Sequence, residues 1–278
     1  RETAPENRRL PRGLGVARGA GRLGWTEGAA GATPRRSVTT LRSPVLATSP
    51  RPDRLKLAVF DMDGTLIDSQ RMIVAAMAHG FADAGLAAPT PAQTLSIVGL
   101  SLPVAVARLA PGLSGAEVDH VVERYKAAFI RMRKETGGEA ASPLYPGARA
   151  ALERLAARDE VLMGVATGKA MRGLTHALAA HDLGRFFQTL QTADGHPSKP
   201  HPAMLLDALA ETGTQAEDAV MVGDTEFDIE MARAAGMTAI AVTWGYHPET
   251  RLRDAGAHHV IHGWDELDAA LALSWGEV

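Results

Sequence analysis

The chain has 278 residues, 46% of them hydrophobic and 22% charged, which is ordinary for a globular protein and enough for one large domain or a domain carrying an insert. A formal net charge of −3 gives no global field that would gather nucleic acid or an anionic membrane surface. Cysteine is absent, which excludes disulfides, thiolate metal sites and cysteine nucleophiles and fits a cytoplasmic enzyme; no apolar run approaches the ~18 residues of a membrane span.

In chain order, residues 1–54 come first. They are rich in Arg, Gly, Ala and Pro and show neither a helix nor a strand period. The preferred reading is a disordered or spurious extension, ending in the linker SPRPDR (49–54). A targeting peptide and a nucleic-acid-binding arm are the other two readings, since the segment is rich in Arg and poor in acids. From 55 onward, short apolar runs predict buried strands over 55–61, 161–167, 187–192, 219–224 and 238–244, with a short edge strand at 258–262. Helical patterns fall over 169–182, 201–213, 226–235 and 264–273. Such alternation predicts an α/β fold with a doubly wound parallel sheet, covered on both faces.

One interval is out of scale. About a hundred residues separate the first two strands, where a crossover needs only a dozen or more. The patterns over 69–86, 102–110 and 115–134 are helical, with breaks at 88–91 and 110–115. We read 69–142 as an inserted helical cap and 55–68 with 143–278 as the core, the cap lying over the strand ends as a lid. Arg124, Lys126, Arg131, Arg133 and Lys134 are read as a solvated face of that insert.

Four fragments fall at the C-terminal strand ends, where ligands bind on such sheets. They are DMDGT (61–65), ATGK (166–169), SKPHP (198–202) and GDTEFD (223–228). Together they bring acids, a hydroxyl beside glycine and a lysine, a set suited to phosphoryl transfer. Asp61 could attack phosphorus and Asp63 could move protons; the plainer readings are a solvated strand-end acid and a turn residue. Thr167 and Gly168 open the helix from Lys169, where backbone amides favour an anion; plain capping is the alternative. Lys199 precedes Pro200 at a helix entry and could meet phosphate, or be a solvated loop lysine. Asp61 and Asp224 could hold Mg²⁺. Asp228 either caps, at capping-box spacing from Thr225, or supports the metal or the lysine. Asp68 is read as a helix cap. His258, His259 and His262 lie at an edge without a ligand-spaced acid, and His196 and His201 flank the lysine loop without an assignable partner.

In that order, DMDGTLIDS, VATGK, SKPHP and MVGDTEFDIEMARAAGM resemble the four motifs of the haloacid dehalogenase-like hydrolase superfamily, over the chain from about residue 56 to its end. The resemblance implies a Rossmann-like core with a helical cap. It makes Asp61 the nucleophile and Asp63 the general acid and base. It places Thr167, Gly168, Gly64 and the catalytic Lys199 at the phosphoryl group, and Mg²⁺ on Asp61, the backbone carbonyl of Asp63 and Asp224, with Asp228 behind them. The dehalogenases lack an acid two residues after the nucleophile, so Asp63 excludes that chemistry. The phosphonatases need a desolvated cap lysine, and neither Lys126 nor Lys134 fits. IVGLSLPVAVARL (97–109) is similar to the cap of phosphoglycolate phosphatase-like enzymes, which implies 2-phosphoglycolate as the substrate. A β-phosphoglucomutase-like phosphotransferase, a nucleotide or pyrophosphate phosphatase and a non-catalytic binding protein are the alternatives. The expected partner is a small phosphorylated metabolite, with no nucleic acid and no membrane, and the expected state is a monomer or homodimer.

Overall fold

The computed structural model describes residues 54–137 and 142–277. The readings of residues 1–54 therefore lie, Arg54 aside, outside the described residues.

Six strands form one all-parallel sheet in the order β3-β2-β1-β4-β5-β6. They are β1 (Lys56–Phe60), β2 (Val161–Thr167), β3 (Thr189–Thr192), β4 (Ala219–Gly223), β5 (Thr238–Val242) and β6 (His259–Ile261). The first strand sits at the centre, hydrogen-bonded to β2 on one edge and β4 on the other. Its side chains alternate between two cores. Ala58 and Phe60 join the cluster built on α5 (Ala148–Ala156), α6 (Met171–Ala180) and α10 (Leu267–Trp275), whereas Leu57 and Val59 join the one built on α7 (Ala203–Thr212), α8 (Glu226–Ala234) and α9 (Glu249–Asp254). Burying a Leu, Val or Phe side chain is worth about 1.5–3 kcal/mol, so the backbone that ends in Asp61 is anchored on both edges and both faces. Chain order reverses between β1 and β4, the switch point at which a ligand crevice is expected.

Between β1 and α5 lie α1 (Gln70–Asp83), α2 (Pro91–Leu95), α3 (Leu102–Leu109) and α4 (Gly115–Thr136). Met77 and Phe81 of α1, Val106 of α3 and Val121 of α4 close a third hydrophobic cluster. The strong start of α4 is a reciprocal capping box between Ser114 and Glu117, and Gly137 ends the helix at φ 77°. The cap leaves and rejoins the core through two adjacent segments, in which Asp68 N donates to the Pro143 carbonyl and Tyr145 N to that of Leu66.

Several elements depart from the sequence reading. The segment 88–91, read as a break, contains the start of α2: Thr90 and Gln93 form a capping box around Pro91. Helices α5 and α9 were not anticipated, although Ala148, Ala151, Leu152 and Leu155 carry a helical period. The strand expected over 238–244 stops at Val242, and residues 243–247 form a loop at the ligand edge. Among the described residues, no helix is long and apolar enough to cross a membrane.

Candidate active site

Asp61 follows β1 directly and Asp224 follows β4, so the central pair of strands delivers two carboxylates to one edge. Asp228 arrives from the first turn of α8. One oxygen from each of the three lies within 4.8 Å of the others, and all three side chains are buried. Burial is the main force raising the Asp61 carboxyl to about 6, partly offset by the Lys199 ammonium and reinforced by Asp228. Burial, then Asp228 and Asp61, push Asp224 well above the ordinary carboxylate range.

Lys199 is the internal counter-charge. Its Nζ lies 2.8 Å from Asp61 Oδ1 and 2.6 Å from Asp228 Oδ1, and its side chain has no solvent exposure. The reading of Pro200 as a first-turn residue, with Lys199 at the helix entry, is corrected, because α7 begins only at Ala203. Nor is Lys199 a solvated loop residue. Asp228 fills both roles that the sequence left open. Its Oδ2 accepts from Thr225 N and Thr225 Oγ1 in a capping box, while its Oδ1 holds Lys199.

Asp224 is held by groups that the sequence reading passed over. Thr65 Oγ1 donates to its Oδ1 and Tyr246 N to its Oδ2, both at 2.9 Å. Trp244 Nε1 ties this loop back to the Thr65 carbonyl, and Tyr246 Oη accepts from Ser69 N at the cap junction. Two glycines flank the carboxylate. A Cβ on Gly64 would lie 2.2 Å from Asp224 Oδ2, and one on Gly245 would lie 2.2 Å from Asp224 Cβ. The N–H of Gly64 is committed to the Ile67 carbonyl, so this residue provides room and a φ of 95° rather than a phosphate donor. The available signal was Gly245 inside W-G-Y, a turn residue at the close of an apolar run.

Asp63 also faces this edge. Its Oδ2 pairs with Lys169 Nζ at 2.7 Å, and its Oδ1 has no partner. Thr167 is buried at the end of β2, and its hydroxyl accepts from Lys169 N at 3.3 Å. The helix expected to open at Lys169 begins at Met171, so Thr167 belongs to the preceding turn and not to the helix cap. A Cβ on Gly168 would meet the Gly99 and Leu100 carbonyls of the cap at 2.5 and 2.6 Å, so this glycine lets the cap approach. Ser101 N donating to Ser198 Oγ adds a second cap–core contact.

Asp61, Asp63, Thr167, Gly168 and Lys169 line a cleft of about 600 Å³ whose far wall is Ile73 and Met77 of α1 and Val122, Tyr125 and Phe129 of α4. The histidines singled out in the sequence stay outside it. His196 contacts the Thr192 carbonyl and Asp207, His201 accepts from Ala203 N, and His258 accepts from Ala239 N. Asp68 accepts from Gln70 N at the start of α1. Of the basic run on α4, Lys126 and Arg133 reach the cleft, although Lys126 is half exposed and paired with Glu123.

This donor set fits a hard divalent cation. Crowded, desolvated carboxylates, with those of Asp61 and Asp224 raised in pKa, are relieved by added positive charge, and Asp61 Oδ2 is buried without a partner.

Residues 58–242 match the family model described as haloacid dehalogenase-like hydrolase. The chain is 34% identical over 217 residues to the protein named "Probable phosphatase IndB" of Dickeya dadantii, covering 77% of this chain and 92% of that one. It is also 34% identical over 228 residues to a phosphoglycolate phosphatase of Pseudomonas syringae pv. tomato, covering 78% and 83%. Among solved structures, a haloacid dehalogenase-like family hydrolase of Streptococcus pneumoniae superimposes with a TM-score of 0.67 at 24% identity, over 78% of this chain and 98% of that one.

Proposed function

The chain belongs to the haloacid dehalogenase-like hydrolase family, and on that premise we propose that it hydrolyses a small phosphate monoester, 2-phosphoglycolate first among them, through a phosphoryl group carried on Asp61. Its class is phosphoric monoester hydrolase, in keeping with relatives named as phosphatases. The observation that carries the mechanism is the asymmetry of Asp61. Lys199 holds Oδ1, and Oδ2 is buried, without a partner, at the head of the cleft.

In this reading, Asp61 attacks phosphorus in line. Lys199 fixes the orientation of its carboxylate and, with Asp228 behind it, keeps the negative charge balanced. Asp63, two residues on, delivers a proton to the leaving alcohol oxygen and takes one from the water that then attacks phosphorus. Thr167 and the turn through Gly168 receive phosphoryl oxygens. Asp61, Asp224 and the Asp63 carbonyl would hold Mg²⁺, with Asp228 supporting Lys199 and the α8 turn. Mg²⁺ supplies neutralising charge to the phosphoryl oxygens. The apolar cap wall excludes bulk water from the reacting group.

The test is phosphate release from a panel of monoesters that includes 2-phosphoglycolate, with Mg²⁺ and after treatment with EDTA. The expected result is turnover of 2-phosphoglycolate that EDTA abolishes. Turnover unaffected by EDTA would overturn the metal assignment. Isomerisation of a hexose phosphate without phosphate release would identify a phosphotransferase instead.

A further inference from the structure

We propose that Lys169 selects the leaving group, favouring monoesters whose alcohol carries a carboxylate close to the ester oxygen. The inference rests on the reading of Asp61 and Asp63 as the groups that face the phosphoryl centre.

Lys169 stands apart from the other cations of the cleft, Lys126, Arg133, Arg172 and His176, because it is the one paired with Asp63. Lys126 is 48% exposed at its side chain and already paired with Glu123. Arg172 and His176 lie on the exposed side of α6. The Lys169 side chain is only 14% exposed, and its backbone is pinned at both ends, its N–H to Thr167 Oγ1 and its carbonyl to Ala193 N. Gly173 makes room for its stem, since a Cβ there would sit 2.9 Å from Lys169 Cγ. The ammonium lies 2.7 Å from Asp63 Oδ2 and 5.5 Å from the centre of the Phe129 ring, which comes from cap helix α4. It is therefore held between the proton-moving carboxylate and the cap.

That position is the one the leaving group must occupy. When Asp63 touches the ester oxygen, the next two atoms of the alcohol lie within a hydrogen bond's reach of whatever Asp63 itself contacts. A carboxylate attached there meets Lys169 and takes over its charge. The apolar part of the wall, Ile73, Met77, Val122 and the Tyr125 and Phe129 rings, offers no positive charge, and of the charged side chains on the cleft Lys169 is the one placed against Asp63. A neutral alcohol would leave Lys169 on Asp63 and gain only contact with that wall. The phenyl face of Phe129 favours a cation and so steadies the ammonium during the exchange.

The experiment compares kcat/KM for 2-phosphoglycolate with that for 2-hydroxyethyl phosphate, which replaces the carboxylate by a neutral alcohol, in the wild type, Lys169→Met and Lys169→Arg. Any general effect of the substitution on Asp63 is common to both substrates and cancels in the ratio. The wild type is expected to prefer the carboxylate. Lys169→Met should reduce the preference about 10- to 100-fold, the size of a lost charge-assisted hydrogen bond, and Lys169→Arg should keep most of it. If Lys169→Met abolishes turnover of both, the same ratio is read calorimetrically from binding of 3-phosphonopropionate against propylphosphonate. A wild type without preference, or a variant whose ratio is unchanged, overturns the proposal while leaving the phosphatase reading intact. Failure of the wild type to release phosphate from either ester would instead count against the reading on which the proposal rests.

Discussion

Lys199 shows what one residue does here. A single ammonium, without solvent exposure, bridges Asp61 and Asp228 in a site that already crowds three carboxylates. Its own burial opposes the charge, but the two acids more than compensate and hold its pKa above the ordinary lysine value. Removing it leaves the carboxylates without their counter-ion, and breaking a buried pair by losing one partner costs about 3–5 kcal/mol. Lys199→Met, which keeps the length and loses the charge, should therefore lower unfolding stability by about that amount in metal-free protein. Urea denaturation would measure it. A change of less than about 1 kcal/mol would mean that the cluster rearranges freely, as exposed pairs do.

At the scale of elements, the site depends on the loop after β5 as much as on the strands that carry the acids. Tyr246 N and the close approach of Gly245 fix Asp224 from one side, and Gly64 and Thr65 fix it from the other. Gly245→Ala would force a methyl into the Asp224 side chain. The expected outcome is Mg²⁺ affinity weakened about 10- to 100-fold, the usual effect of disturbing groups that orient a ligand. Titration calorimetry with Mg²⁺ would show it, and an unchanged affinity would remove Asp224 from the ligand set. The strands themselves were legible in the sequence because each is a short apolar run with a polar residue at its tip, as in LKLAVFD. The loop was not, because Trp244 extends the apolar run of β5 and hides where the strand ends. Helix α2 was concealed by its proline, which acts as a first-turn residue and not as a breaker. Asp228 could not be assigned from spacing, since capping and holding Lys199 use different oxygens of one carboxylate.

For the whole molecule, the site is stored destabilisation that a cation relieves. The Asp61 carboxyl is raised from 3.8 to about 6, and Asp224 is raised as well. A raised folded-state carboxyl contributes stability that is present below its unfolded pKa and is lost as pH rises through the folded value. For Asp61, the loss falls between 3.8 and about 6. Mg²⁺ binds the ionised carboxylates, so its stabilising effect must grow over the same window. Melting temperatures with and without Mg²⁺ should differ more near neutral pH than at about pH 5. An equal shift at both would show that the carboxylates are not what the cation engages. The cap belongs to this scale too. Phe227, in the α8 turn next to Asp228, is buried in the cap's own hydrophobic cluster, and Arg108 of α3 lies over its ring at 5.3 Å. The acid-bearing turn and the lid are thus in direct contact. The sequence marked the acids of that turn, but it could not show that the phenylalanine between them docks the cap.

The central claim is that Asp61 carries the phosphoryl group, and phosphate release by Asp61→Asn tests it most directly. The substitution keeps the shape of the side chain and removes the charge that attacks phosphorus. With 2-phosphoglycolate and Mg²⁺, turnover should fall to below about a thousandth of the wild-type rate in protein that remains folded. Release at the wild-type rate would contradict the mechanism.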